Sequence, residues 1–230
     1  VARAVGAEII EDRGAPGAVQ YAYFAGLPWY GIELIVAERA LVGVFPTHHG
    51  EACIWICNPT ADARRARRTA PSREDAFTAS LHRYAPELAE RLLTGRRTSR
   101  VSGMLRTPNY LRRAHGPGWA LVGDAGYHRD ALTGHGLSDA YRDAEFLATA
   151  LDSAMRGNVD PHAALAGYQR QRDRALRDVF DITVALADYP PVPQFVLLQK
   201  QLARALDDEA VKLAALSPMF GINEHQLAIA

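Results

Sequence analysis

Between Ala18 and Cys57 the chain alternates apolar and polar side chains in four short runs: Ala18 to Leu27, Gly31 to Ala37, Leu41 to Phe45 and Ala52 to Cys57. These runs are rich in β-branched and aromatic residues, and a period of two over such lengths specifies strands. The breakers between them are Pro28, the Glu38-Arg39 pair and His48-His49-Gly50. Connections this tight suit antiparallel neighbours better than crossover helices. The expectation is a four-stranded antiparallel meander with one covered face.

From Ser72 the period lengthens toward that of a helix, through Ala76, Leu81, Tyr84, Leu88, Leu92 and Leu93. Ser72 with Asp75 has the form of a capping box. Thr98 to Arg106 reads as a further strand that can rejoin the first sheet. The arginines at 64, 65, 67 and 68 read as a solvated linker or helix face rather than a phosphate site. Gly116-Pro117-Gly118 marks a turn, and Trp119 to Val122 is an apolar run of the buried-strand kind. After a loop over 123–135, a helical pattern runs through Leu137, Ala140, Tyr141, Ala144, Leu147, Ala148 and Leu151 and ends near Gly157. Asp160-Pro161 starts another helix, reaching about Ala187, on which Arg170, Arg172, Arg174 and Arg177 read as a solvated face. Pro190, Pro191 and Pro193 then precede two weaker helical stretches, near 194–206 and 208–215.

Charge excludes some roles. In 230 residues, Lys plus Arg and Asp plus Glu each total 26, so no net field steers the chain toward nucleic acid or an anionic membrane. Apolar runs such as Ile32 to Ala37 and Val192 to Leu198 fall well short of the roughly 20 residues a membrane span needs. The expected partner is a small-molecule substrate, and the long helices after Asp160 could support a homodimer. With no signal segment at the start and only Cys53 and Cys57 to oxidise, the expected compartment is the cytoplasm. Those cysteines share one side of a strand but lie roughly 13 Å apart, so they read as small buried hydrophobes rather than metal ligands. His48-His49 reads as a turn pair, and no metal or catalytic residue is assigned. Tyr21, Tyr23, Phe24, Trp29 and Trp55 fall on the sheet, as core or as the lining of an aromatic pocket.

The segment Gly118 to Asp143 carries the chemistry. Asp124 stands just past an apolar strand, where open sheets bind ligands, and its carboxylate can accept hydrogen bonds from a chain of hydroxyls. Gly134 and Gly136 let backbone approach a ligand, and the helix that follows aims free amides and its positive end at the same space. Order and spacing point to a nucleotide or flavin site without choosing between them.

Gly123-Asp124-Ala125, His128 and Thr133-Gly134-His135-Gly136-Leu137-Ser138-Asp139-Ala140 resemble the second FAD motif of the flavoprotein monooxygenases of the para-hydroxybenzoate hydroxylase type. The resemblance is specific over Gly118 to Asp143 and loose elsewhere. It implies FAD, with Asp124 on the ribityl chain and the amides at Gly136 and Leu137 facing the pyrimidine edge of the isoalloxazine. Gly123, Ala125, Gly134 and His135 complete the implied cofactor-binding set. It implies an α+β chain from an α/β parent: an antiparallel substrate-domain sheet, the C-terminal part of an FAD-binding domain, and long C-terminal helices. The corresponding divisions are 1–17 (remnant of the FAD-binding domain), 18–108 (sheet and helices), 109–187 (motif and long helices) and 188–230 (C-terminal helical segment).

Two departures stand out. Ala131 replaces the proline common in the family, which bears on loop rigidity. The family's opening Gly-x-Gly-x-x-Gly turn and its Asp-Gly motif do not occur, and Val1 to Ala7 resembles the segment that follows the latter. The expectation is therefore the C-terminal portion of an FAD-dependent monooxygenase that uses NAD(P)H and oxygen on a small apolar or aromatic substrate. A flavin-dependent halogenase, a prenyl reductase and a catalytically inert remnant are the alternatives.

Overall fold

The strand pattern fixes most of the architecture. A computed structural model describes residues 1–216; the last part of the expected 188–230 segment lies outside the described residues. Strand β1 (Ile9–Asp12) leads into the long β2 (Gly17–Ala25), followed by β3 (Glu33–Ala37), β4 (Ala40–Pro46) and β5 (Ala52–Pro59). All are antiparallel, but they are not a simple meander: the order is β3-β4-β5-β2, with β2 paired to β5 from Gly17↔Pro59 to Phe24↔Ala52. Loop length explains the difference. The β3–β4 turn is only Glu38-Arg39, with Arg39 left-handed at φ 63°, whereas β2 and β3 are separated by residues 26–32, containing Pro28 and the positive-φ glycines 26 and 31. The tight turn makes a hairpin and the long one lets β2 cross to the far side of β5, a Greek-key order.

Helices α1 (Thr60–Thr69), α2 (Arg73–Tyr84) and α3 (Pro86–Leu92) come next. The α1 arginines are an exposed helix face, and Arg65 pairs with Asp62 at 3.0 Å. Ser72 caps α2 by accepting from the Asp75 amide at 3.0 Å and donating to its carboxylate at 2.7 Å. Pro86 starts α3 at its first turn, where the missing N–H costs nothing. Ala52, Ile54 and Ile56 of β5 join Phe77, Leu81 and Leu88 in one core. The opposite face is not bare, as the single-face expectation had it: Leu41 and Cys57 pack against Leu186, Phe195 and Leu202 from later helices. Among the described residues the Tyr21, Tyr23, Phe45 and Cys53 end of that face opens as a cleft.

Short β6 (Arg96–Arg97) and β7 (Ser102–Thr107) both return to β2; β7 is the strand that the Thr98 to Arg106 run led one to expect, and β6 lies just ahead of that run. Strand β8 (Tyr110–Arg112) pairs with β1; β9 (His115–Gly116) and β10 (Trp119–Ala120) form a small hairpin, and β11 (Tyr127–His128) joins β8. The expected strand at 119–122 is thus only two residues long. Leu121 is buried, but its carbonyl accepts from the Tyr168 hydroxyl at 2.6 Å instead of from a neighbouring strand.

Helices α4 (Gly136–Met155) and α5 (Pro161–Ala187) match expectation, Asp160 capping α5 through the Ala163 amide at 3.0 Å. After Pro190, one continuous helix, α6 (Val192–Leu216), replaces the two weaker stretches. The prolines at 191 and 193 fall at its start, where they do not interrupt the helical ladder. On α4, Leu137, Tyr141, Ala144, Ala148, Leu151 and Met155 are exposed, while Asp139, Arg142, Asp143 and Phe146 face inward. Arg172 on α5 is fully buried, contrary to the solvated reading; it donates to the Arg112 carbonyl at 2.9 Å and pairs with Asp173 at 2.6 Å. No helix among the described residues is long and apolar enough to cross a membrane.

Candidate functional site

Gly123, Asp124 and Ala125 form a single 3-10 turn between β10 and β11. Gly123 has φ +52°, and a Cβ there would come within 2.9 Å of the Ala140 Cβ, so glycine lets the turn press onto α4. Its amide donates to Asp143 at 3.2 Å. Asp124 is exposed at the rim of a cavity of about 220 Å³. Among the described residues its carboxylate caps no local amide and joins no ion pair, so it is free to accept from a ligand.

The opposite wall of this cavity is the turn Ala131–Thr133 with Gly134, His135 and Gly136. Gly134 ends the turn at φ +67°, a left-handed conformation that glycine adopts without strain. His135 sits at the N-cap of α4 and makes no side-chain cap, so the first-turn amides from Gly136 to Ser138 are left for another acceptor. Burial, then the Arg129 charge, holds the His135 imidazole below its ordinary pKa and keeps it neutral. The cavity therefore gathers Asp124, Gly134, His135 and Gly136. Gly123 and Ala125 support it from behind, and Leu137 is 75% exposed on the outer side of α4. His128 faces the Pro108 carbonyl with Nδ1 at 2.6 Å, a histidine satisfied by backbone.

Periodicity did not reveal the charges beneath. Arg142 reaches Asp139 at 2.9 Å, Asp143 at 3.0 Å, Glu209 of α6 at 2.5 Å and the Tyr127 hydroxyl at 3.1 Å, and Asp139 also pairs with Arg129. Burial alone would lower the Arg142 pKa; Tyr127, Asp143 and Asp139 outweigh it and hold the guanidinium firmly charged. Burial pushes the Asp143 carboxyl up, against the pull of Arg142. Arg129 lines the cavity, and its Nε and Nη1 have no hydrogen-bond partner among the described residues. The i, i+3 spacing of Asp139 and Arg142 was the available signal, but it does not separate a buried pair from a solvated one.

Asp130 is the second feature missed. Its carboxylate accepts from the Leu132 amide at 3.1 Å and from the Thr107 hydroxyl, and its own amide donates to Asn109 at 2.7 Å. A Cβ on Gly17 would overlap the Asp130 carboxylate at 2.0 Å. One buried side chain thereby links the Ala131–Thr133 turn to β7 and packs against β2, next to the position where Ala131 replaces proline. Burial raises the Asp130 pKa even so.

Ala131, Thr133 and Gly134 are also one wall of the cleft over the sheet, a space of about 510 Å³ lined further by Tyr21, Tyr23, Trp55 and Leu202. The pocket reading of Tyr21, Tyr23 and Trp55 thus holds, whereas Phe24 lies in the core and Trp29 packs against its edge. Both cysteines are free and line the cleft, and no group of metal-ligating side chains occurs among the described residues.

No family model matches the chain, and no curated protein does. Solved structures do. PqsL, a probable FAD-dependent monooxygenase from Pseudomonas aeruginosa, superposes with TM-score 0.64 at 27% identity, over 89% of this chain and 55% of that one. The flavin-dependent halogenase CmlS gives TM-score 0.66 at 19% identity, over 88% of this chain and 39% of that one. The myxobacterial chondrochloren halogenase CndH gives 0.68 at 17%, over 90% and 51%. The α+β arrangement of antiparallel sheet and long C-terminal helices is therefore the fold these flavoproteins share. The chain spans about half the length, or less, of the structures it matches.

Proposed function

We propose that this chain forms the flavin-ring and substrate side of an FAD-dependent oxidoreductase, and that the reaction is an NAD(P)H- and oxygen-dependent hydroxylation of a small apolar or aromatic substrate. The observation that carries this reading is the shared wall: a polar cavity with a free carboxylate and an uncapped helix start opens directly beside an apolar cleft. The 27% likeness to a probable FAD-dependent monooxygenase supports hydroxylation over the halogenase alternative.

The residues present fit one part of the cofactor. A cavity of about 220 Å³ suits the edge of a ring system rather than a whole dinucleotide, since small-molecule sites run from roughly 300 to 1,000 Å³. Asp124 would hold the ribityl hydroxyls, and the amides at Gly136 and Leu137 the pyrimidine edge. Bound FAD supplies two-electron redox chemistry and oxygen activation. The chain contributes the environment: the α4 N-terminus favours negative charge beside it by about 0.3 to 2 kcal/mol, neutral His135 adds no competing charge, and the cleft holds an apolar substrate away from water against Thr133 and Gly134.

All strand pairs among the described residues are antiparallel, and the sequence has no Gly-x-Gly-x-x-Gly turn to cradle a pyrophosphate. The expected result of titrating the purified chain with FAD and with riboflavin, followed by the flavin visible spectrum, is therefore similar affinity for both. Asp124→Ala should weaken both about tenfold, as loss of a hydrogen bond to a charged group does. A spectrum that neither flavin changes would overturn the reading for this chain and favour the inert alternative.

A further inference from the structure

The cleft over the sheet carries more information than its apolarity. Among the described residues its lining contains no charged side chain: the polar groups are the hydroxyls of Tyr21, Tyr23 and Thr133, the Gln199 amide and two thiols. Glu51, near the Tyr23 hydroxyl, and Asp130, near the Cys57 thiol, lie outside that lining. Arg129 lies in the neighbouring cavity and is already paired with Asp139. An anion entering the cleft would give up water with no cation in the described lining to receive it, which is strongly unfavourable.

The floor of the cleft is also specified. Gly43 of β4 stands directly across from Trp55 of β5. A Cβ at 43 would lie 2.2 Å from Cε2 and Cζ2 of the indole and 2.6 Å from Nε1, so the ring occupies the space that glycine leaves. Phe45 holds it from the side, edge-on at 5.4 Å between centroids. The indole N–H is turned into this packing and has no partner among the described residues. What the side chain offers a ligand is apolar ring surface, beside Tyr21 and Tyr23, which pack edge to face at 6.2 Å. Such a wall binds flat, uncharged rings through dispersion and quadrupole contacts.

We infer that this cleft selects neutral aromatic molecules bearing at most one or two hydrogen-bonding groups, discriminates against carboxylates of the same shape, and has its depth set by Trp55 seated over Gly43. That such a ligand is a substrate rests on the oxidoreductase reading above. Binding and charge selection do not, because the lining belongs to this chain and needs no flavin.

The test uses the chain without flavin and three probes with one ring system: naphthylmethanol, naphthoate and naphthylmethylammonium. Binding is read by calorimetry and by quenching of tryptophan fluorescence. Naphthylmethanol should bind tightest, and naphthoate at least about tenfold more weakly, as expected for an unpaired charge moved out of water. Gly43→Ala should displace the indole, shift the emission and weaken naphthylmethanol. Leu34→Lys, at the exposed mouth of the cleft, alters no packed position and should raise naphthoate affinity selectively. It keeps the test decisive if Gly43→Ala fails to fold. Naphthoate or the ammonium probe binding as tightly as the alcohol would overturn the inference, as would absence of all binding or indifference of the charge ranking to Leu34→Lys. Failure of flavin to bind, with this ranking intact, would remove the oxidoreductase reading alone.

Discussion

The β2–β5 sheet with α2 and α3, and the motif region from Trp119 to Asp143, are held by opposite means. In the first, Ile54, Ile56, Phe77 and Leu81 close an apolar core, and the buried polar side chains of these elements, Gln20, Asn58 and Ser80, carry no charge. In the second, Arg142, Asp139, Asp143 and Asp130 are buried, and their charges and hydrogen bonds tie α4 to Arg129, Tyr127 and Gly123 and hold the Ala131–Thr133 turn. Apolar burial is forgiving, because its strength follows area. A buried charge network is not, since removing one member strands the others. The region whose geometry a ligand would read is therefore built from the less forgiving material.

The sharpest way to break that comparison is one deletion in each region. Arg142→Ala would leave Asp139, Asp143 and Glu209 without their common partner and should cost about 3 to 5 kcal/mol, while Ile54→Val removes one methylene from the sheet core and should cost about 0.5 to 1.5 kcal/mol. Denaturant unfolding of both variants decides it. Equal losses would mean that the charges beneath the cavity are not what holds it.

A smaller effect is expected at Asp130, which joins the two regions. Asp130→Asn keeps an oxygen for the Leu132 amide but disturbs the contact with Thr107, and should cost about 1 to 3 kcal/mol. The pH dependence has a definite sign. Burial raises this carboxyl above its ordinary value of 3.8 in the folded chain, so the folded state binds the proton more tightly and the group's contribution is greatest below that value and is lost as pH rises through the folded pKa. The stability gap between wild type and Asp130→Asn should thus widen as pH falls toward that range. A gap that narrows would mean that the folded chain favours the ionised form.

The same contrast explains what could be read from sequence. Alternation located β2 to β5, the Ser72 and Asp160 caps located α2 and α5, and glycine spacing located the α4 start, because each signal is local. The pairing of β2 with β5 depends on which loop is long enough to cross the sheet, which alternation does not encode. Arg172 looked solvated because a helical charge is ordinarily exposed, and Arg142 drew no reading at all. The burial of both depends on the Arg112 carbonyl, Tyr127 and Glu209, brought up from distant segments. Asp124 and the Gly134–Gly136 turn were legible as site candidates, but the Asp130 clamp needed Gly17, Thr107 and Asn109 in place before it had anything to hold.

The smallest expected effect tests whether that clamp does the work of the proline common at position 131. Asp130 has φ −55° and ψ 140°, the extended conformation that a residue before proline adopts. Ala131 is exposed and opens the 3-10 turn, and its amide has no backbone partner among the described residues, so a ring there displaces nothing. Ala131→Pro should therefore stabilise the chain by about 0.4 to 1 kcal/mol, chiefly by restricting the unfolded state. If Asp130 already fixes the turn, the proline should leave hydrogen exchange at the Leu132 and Gly134 amides almost unchanged in the wild-type background. In Asp130→Ala it should restore protection that the lost carboxylate gave up. A large gain in protection with Asp130 present would show the turn to be loose, and would move the rigidity of the cavity wall from the side chain at 130 to whatever ligand closes over it.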